Sequence, residues 1–424
     1  NRYFKKERIY QLALAVIRNQ ISSAHQDGSN DDFYPNEKAM GSTAFTLFAM
    51  AEAVRLLAIN DEDILEFLRR RAVWLATNDE SGRLTNHHAL GALSVYMVAQ
   101  STNDKALLDA ARVIKDRVIS WQSEEGWFPE YGGFDAGYHS FTISFLSYLR
   151  RLSGDDTLTK PIMKAIDLSA ELVGPDGSYA GEYGSRNSYH FLPHGYELMA
   201  AEYGPARYVA DKFMLALKNG TRSYLDENRT FCHYQYNFFM SWKDYADRVN
   251  CPEWAPESGL VEYPNAGLLV VRSADIHSAI STRQGGVIKS SDARGPIVSD
   301  TGPVFSDITG KIYSSTGIEN SAAKIFEDSD GDLHIELDLS YSKIPNTIQQ
   351  NSFRFLVLRI LNFTLGRLNS NLLRSLIQHL LINRKKSVVF TGKRQIIISD
   401  NNITIRNTLN RNKSAVKLSK IYKF

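Results

Sequence analysis

The chain has 424 residues, of which 43% are hydrophobic, 23% charged and 11% aromatic. That is enough apolar side chain for a large core plus a second unit, and it excludes a disordered or collagenous chain. With 49 basic and 47 acidic side chains the formal net charge is +2, which argues against a binder of nucleic acid or another polyanion acting through overall charge.

Two cysteines, Cys232 and Cys251, are too few for a disulfide framework and lack a metal-ligand spacing, so both read as free thiols. The chain opens on Asn1 and not on Met, an opening compatible with a removed leader. No uninterrupted apolar run spans a bilayer; even 353–382 is broken by arginines, asparagines and Gln378.

Four turn-then-helix segments repeat in the first half, opening at Gly41 (Gly-Ser-Thr-Ala-Phe-Thr), Asn86 (Asn-His-His-Ala-Leu-Gly), Gly137 (Gly-Tyr-His-Ser-Phe-Thr) and Ser188 (Ser-Tyr-His-Phe-Leu-Pro). Their starts lie 45, 51 and 51 residues apart. A polar turn precedes each: Gln26-Asp-Gly-Ser, Asn78-Asp-Glu-Ser-Gly, Glu124-Glu-Gly-Trp and Pro175-Asp-Gly-Ser. Between them run amphipathic stretches at 64–76, 105–121 and 158–173. Two helices per repeat cannot bury their apolar faces alone, so the hairpins must stack. The Gly, Ala, Ser and aromatic content of the openings suits inner helices of a closed ring, and the charged intervening stretches suit outer ones.

From about Pro264 the pattern becomes short, β-branched and alternating, as at 266–273, 277–283, 287–289, 334–341 and 395–399, with turns between. The expected architecture is α+β and multidomain: an (α/α) toroid of helical hairpins over 1–255, then an antiparallel β-sandwich-like domain over 256–424. Within the latter, 353–386 reads as a basic amphipathic helical insertion. Residues 339–399 hold ten Lys or Arg and no Asp or Glu, leaving 39 basic against 47 acidic side chains elsewhere. This stretch is expected to touch an anionic membrane or an acidic glycan, with a solvated basic helix face as the plainer reading.

Six of ten histidines (His87, His88, His139, His190, His194 and His233) fall among the helices, five of them in the repeat openings. In a toroid such openings converge, and inner-helix N-termini turn unpaired N–H groups toward an anionic ligand. These residues resemble the heparinase II/III-like and alginate-lyase-like polysaccharide lyases over roughly 30–340. The resemblance is carried by Asn86-His87 at a helix start, by Tyr138 in Phe134-Asp-Ala-Gly-Tyr-His-Ser, and by Tyr183-Gly-Ser-Arg-Asn-Ser-Tyr-His-Phe-Leu-Pro-His194-Gly. It implies β-elimination on a uronate glycan without a cofactor. The basic helical stretch would suit such an activity beside a membrane-bound machine of an exopolysaccharide or capsule system. Asn86 and His87 would neutralise the uronate carboxylate and Tyr138 would act as acid and base.

Elimination needs donors on the developing enediolate, for which Arg186 joins Asn86 and His87, and a proton carrier, for which His190 or His194 stand behind Tyr138. His88, Trp127, Tyr131, His139, Tyr183 and Tyr189 are the candidate substrate contacts, the aromatic ones by stacking on sugar faces. The β domain holds only His277, His334 and His379, so no metal cluster is expected. A glycoside hydrolase using two of Glu124, Glu125, Glu130 and Asp135 is the alternative enzyme, and a silent glycan-binding protein the alternative class. The compartment stays open between the cytoplasmic face of a membrane and the periplasm.

Overall fold

The structure is a computed structural model that describes residues 6–80, 82–221, 228–245, 247–273, 276–307, 309–316, 323–344, 352–369, 372–373, 375–377, 387–399, 402–411 and 414–423. Two compact units form: one comprises Asn1–Gln122, Tyr148–Leu158 and Thr347–Arg384, the other Ser123–Ser147, Thr159–Asn346 and Lys385–Phe424. They divide the chain differently from a single cut at residue 255. The fold class is α+β, helical hairpins followed by an antiparallel sandwich.

In the first unit the helices α1 (Lys6–Ser23), α2 (Met40–Leu57), α3 (Glu62–Thr77), α4 (Thr85–Thr102) and α5 (Lys105–Ser120) alternate in character. α4 is buried nearly all round, from Asn86 and His88 through Leu90 and Leu93 to Ala99, whereas α5 buries one stripe, Leu107, Ala111, Ile114 and Val118. A helix apolar on every side belongs inside, and α4 is packed by α2, α3 and α5. α2 is the one described helix long and apolar enough to cross a bilayer by length and composition, and half of it is buried within the protein. The outer helices carry their own start signals: Asp61 accepts the Ile64 N–H, and Asp104 those of Ala106 and Leu107.

In the second unit α6 (Ala136–Ser153, whose last turns belong to the first unit), α7 (Thr159–Leu172), α8 (His194–Met199), α9 (Gly204–Asn219) and α10 (Asn228–Lys243) follow. The fourth repeat opening departs from the expected helix. Residues 188–193 are irregular and α8 starts only at His194, because Pro193 disfavours helix before it and the segment is tied elsewhere by side chains described below.

The turns before the helices share one device. Gly28, Gly126 and Gly177 take positive φ of 88°, 93° and 80°. A Cβ there would lie 2.9 Å from the Arg71 backbone, 2.4 Å from the Lys164 carbonyl oxygen and 2.3 Å from that of Lys212. Each turn therefore presses, without a side chain, on the backbone of the outer helix that follows, α3, α7 or α9.

Strands β1 (Gly259–Tyr263), β2 (Leu268–Arg272), β3 (His277–Ser281), β4 (Val287–Asp292) and β5 (Gly295–Asp300) form one antiparallel sheet in chain order. A second contains β6 (Val304–Ser306), β7 (Ile312–Ser314), β8 (Lys324–Glu327), β9 (Leu333–Lys343), β10 (Val388–Ser399), β11 (Asn402–Arg411) and β12 (Ser414–Lys423), ordered β12-β11-β10-β9-β7-β6 with β8 also on β9. Leu269, Ile280, Ile288 and Val298 of the first sheet pack on Ile335, Ile396, Ile403 and Ile405 of the second, which makes a sandwich core. At its edge the buried Arg394 donates to Asp300 at 2.7 Å and to Asn407 at 3.0 Å, joining the sheets by a desolvated pair.

The insertion between β9 and β10 contains α11 (Ser352–Leu361) and a π-turn, Asn362–Gly366. Residues 378–386, with His379, and the side chains of Cys232 and His233 lie outside the described residues; Cys251 is a buried free thiol.

Gly177→Ala is expected to destabilise the protein by about 3 kcal/mol, since it adds a clash with backbone to a left-handed conformation. Gly310→Ala, at φ 76° with no atom within 4 Å, is expected to lose only the conformational part, about 1 kcal/mol. Urea unfolding of both variants checks the difference, and equal losses would mean that the close approach carries no weight.

Candidate functional site

In the second unit a buried carboxylate, Asp135, organises the start of α6. Its Oδ1 accepts from the Tyr138 N–H at 3.1 Å and from the Ser188 hydroxyl, and its Oδ2 accepts from the N–H groups of Arg186 at 3.0 Å and Ser188 at 3.4 Å. The 184–190 loop is thereby laid over the helix N-terminus. Gly137 allows the approach, because a Cβ there would meet Ser188 Oγ at 2.2 Å and the His190 backbone at 3.0 Å.

This docking gathers three of the predicted catalytic side chains. The Tyr138 and His190 rings meet edge to face at 5.1 Å, and the Arg186 guanidinium lies 5.3 Å above Tyr138 and 4.3 Å above Tyr131. Tyr131 itself adopts a left-handed conformation, φ 54°. His190 Nδ1 is 2.5 Å from the hydroxyl of Tyr234, a buried residue of α10, and Phe141 closes the ring cluster beneath them. Burial pushes the Tyr138 phenol above its usual pKa, assisted by Asp135 and Glu130 and opposed by Arg186. Tyr138 is therefore a protonated phenol at neutral pH.

Tyr234 was not foreseen. The sequence showed a histidine beside it, His233, but nothing in its own spacing tied it to His190, 44 residues away.

The first unit holds the other candidates. His87 Nδ1 lies 2.7 Å from Glu80 Oε2, and the ring fits because position 41 is glycine: a Cβ there would sit 2.6 Å from His87 Cε1. Asn86 is fully buried. His88 is not a substrate contact. It is 1% exposed, with Nδ1 on the Leu84 carbonyl oxygen, Nε2 on Asp79 and its ring against Trp121.

Three further expectations are corrected by burial. His139 is sealed in the core, its Nε2 donating to the Ala165 carbonyl oxygen at 3.0 Å. His194 is buried at the start of α8, its N–H on Asn237 and its Nε2 2.8 Å from Asp244, whose carboxyl this contact holds below the usual range. Tyr183 is buried, its hydroxyl accepting the Ala180 N–H. Of the hydrolase carboxylates, Glu124 is exposed, Asp135 is engaged as above, and Glu125 accepts from the N–H groups of Asn265 and Ala266 and from the Trp127 indole. Trp127 thus braces a turn, half-buried against Phe134, and Glu130 is buried.

Beside His190, Tyr189 stands at a pocket of 560 Å³ between the 176–189 segment and strands β3 to β5. Lys289 of β4 donates to Glu182, Tyr189 and Ser299 at 2.6, 2.7 and 2.6 Å. Burial opposes the ammonium, but Glu182 and Tyr189 more than offset it and hold the Lys289 pKa above its usual value. Asp176, 1% exposed, accepts from Ser178 through Oδ1 and keeps Oδ2 without a partner in the pocket wall. Among the described residues no three His, Cys, Asp or Glu side chains gather as metal ligands.

No protein-family model and no curated protein matches the sequence. Solved structures do match. Heparinase III aligns with a TM-score of 0.52 at 11% identity, over 96% of this chain and 60% of its own. The chondroitin AC lyase of Streptomyces coelicolor A3, in complex with chondroitin sulphate, aligns with a TM-score of 0.51 at 10% identity, over 91% and 56%. The fold is that of the polysaccharide lyases. The chain spans about three-fifths of the length of these neighbours, and at such identity the likeness concerns architecture alone.

The two core histidines make stability pH-dependent. Burial depresses His139 to about 4 and His277, which donates to the Glu171 carbonyl oxygen, to about 3, against about 6.5 when unfolded. The unfolded chain binds these protons first, so their contribution is complete above pH 6.5 and drains away as pH falls toward 4, at up to about 1.4 kcal/mol per pH unit for each. Urea unfolding between pH 7 and 4.5 is expected to show this slope and His139→Gln to flatten it. An unchanged slope in that variant would remove His139 from the account.

Proposed function

We propose that the protein is a polysaccharide lyase that cleaves a uronate-containing acidic glycan by β-elimination, without a cofactor, in the handling of an exopolysaccharide or capsule. The observation that supports this best is the pairing of a protonated phenol, Tyr138, with an imidazole, His190, under the fixed positive charge of Arg186.

Elimination divides into tasks that these groups match. The proton at C5 of a uronate becomes removable once charge on the adjacent carboxylate is stabilised as the enediolate forms, and Arg186 is the donor placed for it. The His190 imidazole takes the C5 proton. The C5–H electron pair becomes the C4–C5 double bond, the C4–O bond breaks, and the Tyr138 phenol gives its proton to the departing oxygen. Tyr234 is the positioning residue: a hydrogen bond on Nδ1 fixes the orientation of the ring and directs Nε2 to the substrate. Acid and base duties are thus divided between Tyr138 and His190, because a phenol whose ionisation is opposed by burial serves as acid and not as resting base.

The neighbouring pocket supports a second sugar. The Tyr189 ring offers a stacking face in its wall, and Lys289 holds Tyr189 and Glu182 in place there. His87 enters on the sequence resemblance, with Glu80 setting the orientation of its ring; Asn86, fully buried like His88, has no surface to offer a substrate.

Ultraviolet absorbance during incubation with a panel of uronate polysaccharides tests the reading, because elimination leaves an alkene conjugated to the carboxylate. Tyr138→Phe and His190→Ala are expected to lower kcat by about 10²–10⁴-fold, Arg186→Ala by about 10²–10³-fold, and His87→Ala to lower it as well. Lys289→Ala is expected to act mainly on KM. Reducing ends without unsaturation would establish a hydrolase instead, and binding without any cleavage a glycan-binding protein.

A further inference from the structure

We propose that the insertion between β9 and β10 is a docking surface for an anionic lipid bilayer. Over 352–366 the helical stretch has two unlike sides. Positions 358, 361, 362, 365 and 366 turn inward, and Gly366 lies so close to the buried Leu373 that a Cβ would stand 2.9 Å from its side chain. This spacing is the inner face of a surface helix.

The opposite side of such a helix is ordinarily polar. Here it is apolar: Phe353, Leu356, Ile360 and Phe363 recur at three- and four-residue spacing with 73, 54, 54 and 61% of their surface exposed, and Leu368 beyond them is 85% exposed. Side chains of this size, set in one stripe, mark a contact surface.

Charge decides between occupants. The 35 residues 352–386 of the insertion hold seven Lys or Arg and no Asp or Glu. Two copies brought together on this face would oppose like charges, whereas a negatively charged lipid surface would be attracted. Arg359, whose guanidinium lies 5.3 Å over the Phe355 ring, and Arg367 have long stems that can follow the apolar face while their heads reach phosphate. Aromatic and leucine side chains in the acyl boundary with arginines at headgroup level are the features of a helix lying in the plane of a membrane. Attraction to the leaflet comes to about 1 kcal/mol per basic side chain near the surface.

The full chain is mixed with vesicles of phosphatidylcholine alone or with 30% phosphatidylglycerol, a composition of roughly the anionic content that attracts polybasic segments, and sedimented. Binding is expected only to the anionic vesicles, weakened by high salt. It should fall at least about tenfold in Arg359→Glu/Arg367→Glu and in Leu356→Ser/Ile360→Ser/Phe363→Ser, each with unchanged thermal unfolding since the altered side chains are exposed. Light scattering run in parallel identifies the competing occupant. No binding, equal binding to both vesicle types, or a concentration-dependent dimer abolished by the serine variant would overturn the proposal. Glycan cleavage by the variants separates this inference from the lyase reading, since the substitutions touch no residue assigned to that chemistry.

Discussion

The arrangement at the start of α6 depends on one buried carboxylate. Asp135 could have been a lone helix cap, satisfying a single N–H of the first turn. Instead its two oxygens also take the Arg186 and Ser188 N–H groups and the Ser188 hydroxyl, 51 to 53 residues further along. A carboxylate removed from water must be repaid by such bonds, and a site that repays it fully is rigid. The proposed elimination would need that rigidity. Tyr138 is three residues from Asp135 on the helix, and Arg186 and His190 are on the loop it holds, so one anchor sets the spacing of all three. The same anchor helps to explain why the fourth repeat opening is not helical, since the Ser188 N–H is given to Asp135 and, further on, the Leu192 N–H to the Ser140 hydroxyl.

Much of the fold was legible because the repeat is written in residues whose reasons are local. Gly28, Gly126 and Gly177 recur because a Cβ cannot fit against the following outer helix, and Asp61 and Asp104 announce the outer helices they cap. The all-round burial of α4 follows from its lack of any charged side chain between Asn86 and Thr102. The strands beyond Gly259 show their period directly, with Leu269, Ile280 and Ile288 inward.

The site was legible only in part, because spacing tells which residues open a helix and not which way each then turns. His87, His88 and His139 share the same repeat context, yet only His87 retains exposure, beside Gly41. Its neighbour on the next position points into the hairpin toward Trp121, and His139 is turned onto the α7 backbone. Consecutive positions on a helix differ by about 100°, so a run such as Asn-His-His must send its members to different surroundings. Tyr234 and Lys289 were missed for a different reason. They reach their partners across 44 and 100 residues, His190 from α10 and Tyr189 from a strand, and no local pattern encodes a contact made only by the fold.

Electrostatics then separates two positive groups that a charge count would treat alike. Lys289 is paired at 2.6 Å with Glu182, so the two together present no net charge to an approaching anion, and a glycan carboxylate gains little there unless it displaces Glu182. Such a pair orients hydroxyls better than it attracts charge. Arg186 is exposed, and its guanidinium is spread over the faces of Tyr131 and Tyr138, where the aromatic quadrupole stabilises the cation without neutralising it. A stacked guanidinium keeps its N–H edges for ligand, which a lysine at that position would not reproduce. Of the two, Arg186 is therefore the group free to attract an anion, and on the proposed reading an acidic sugar would be held by Arg186 and not by the Lys289–Glu182 pair.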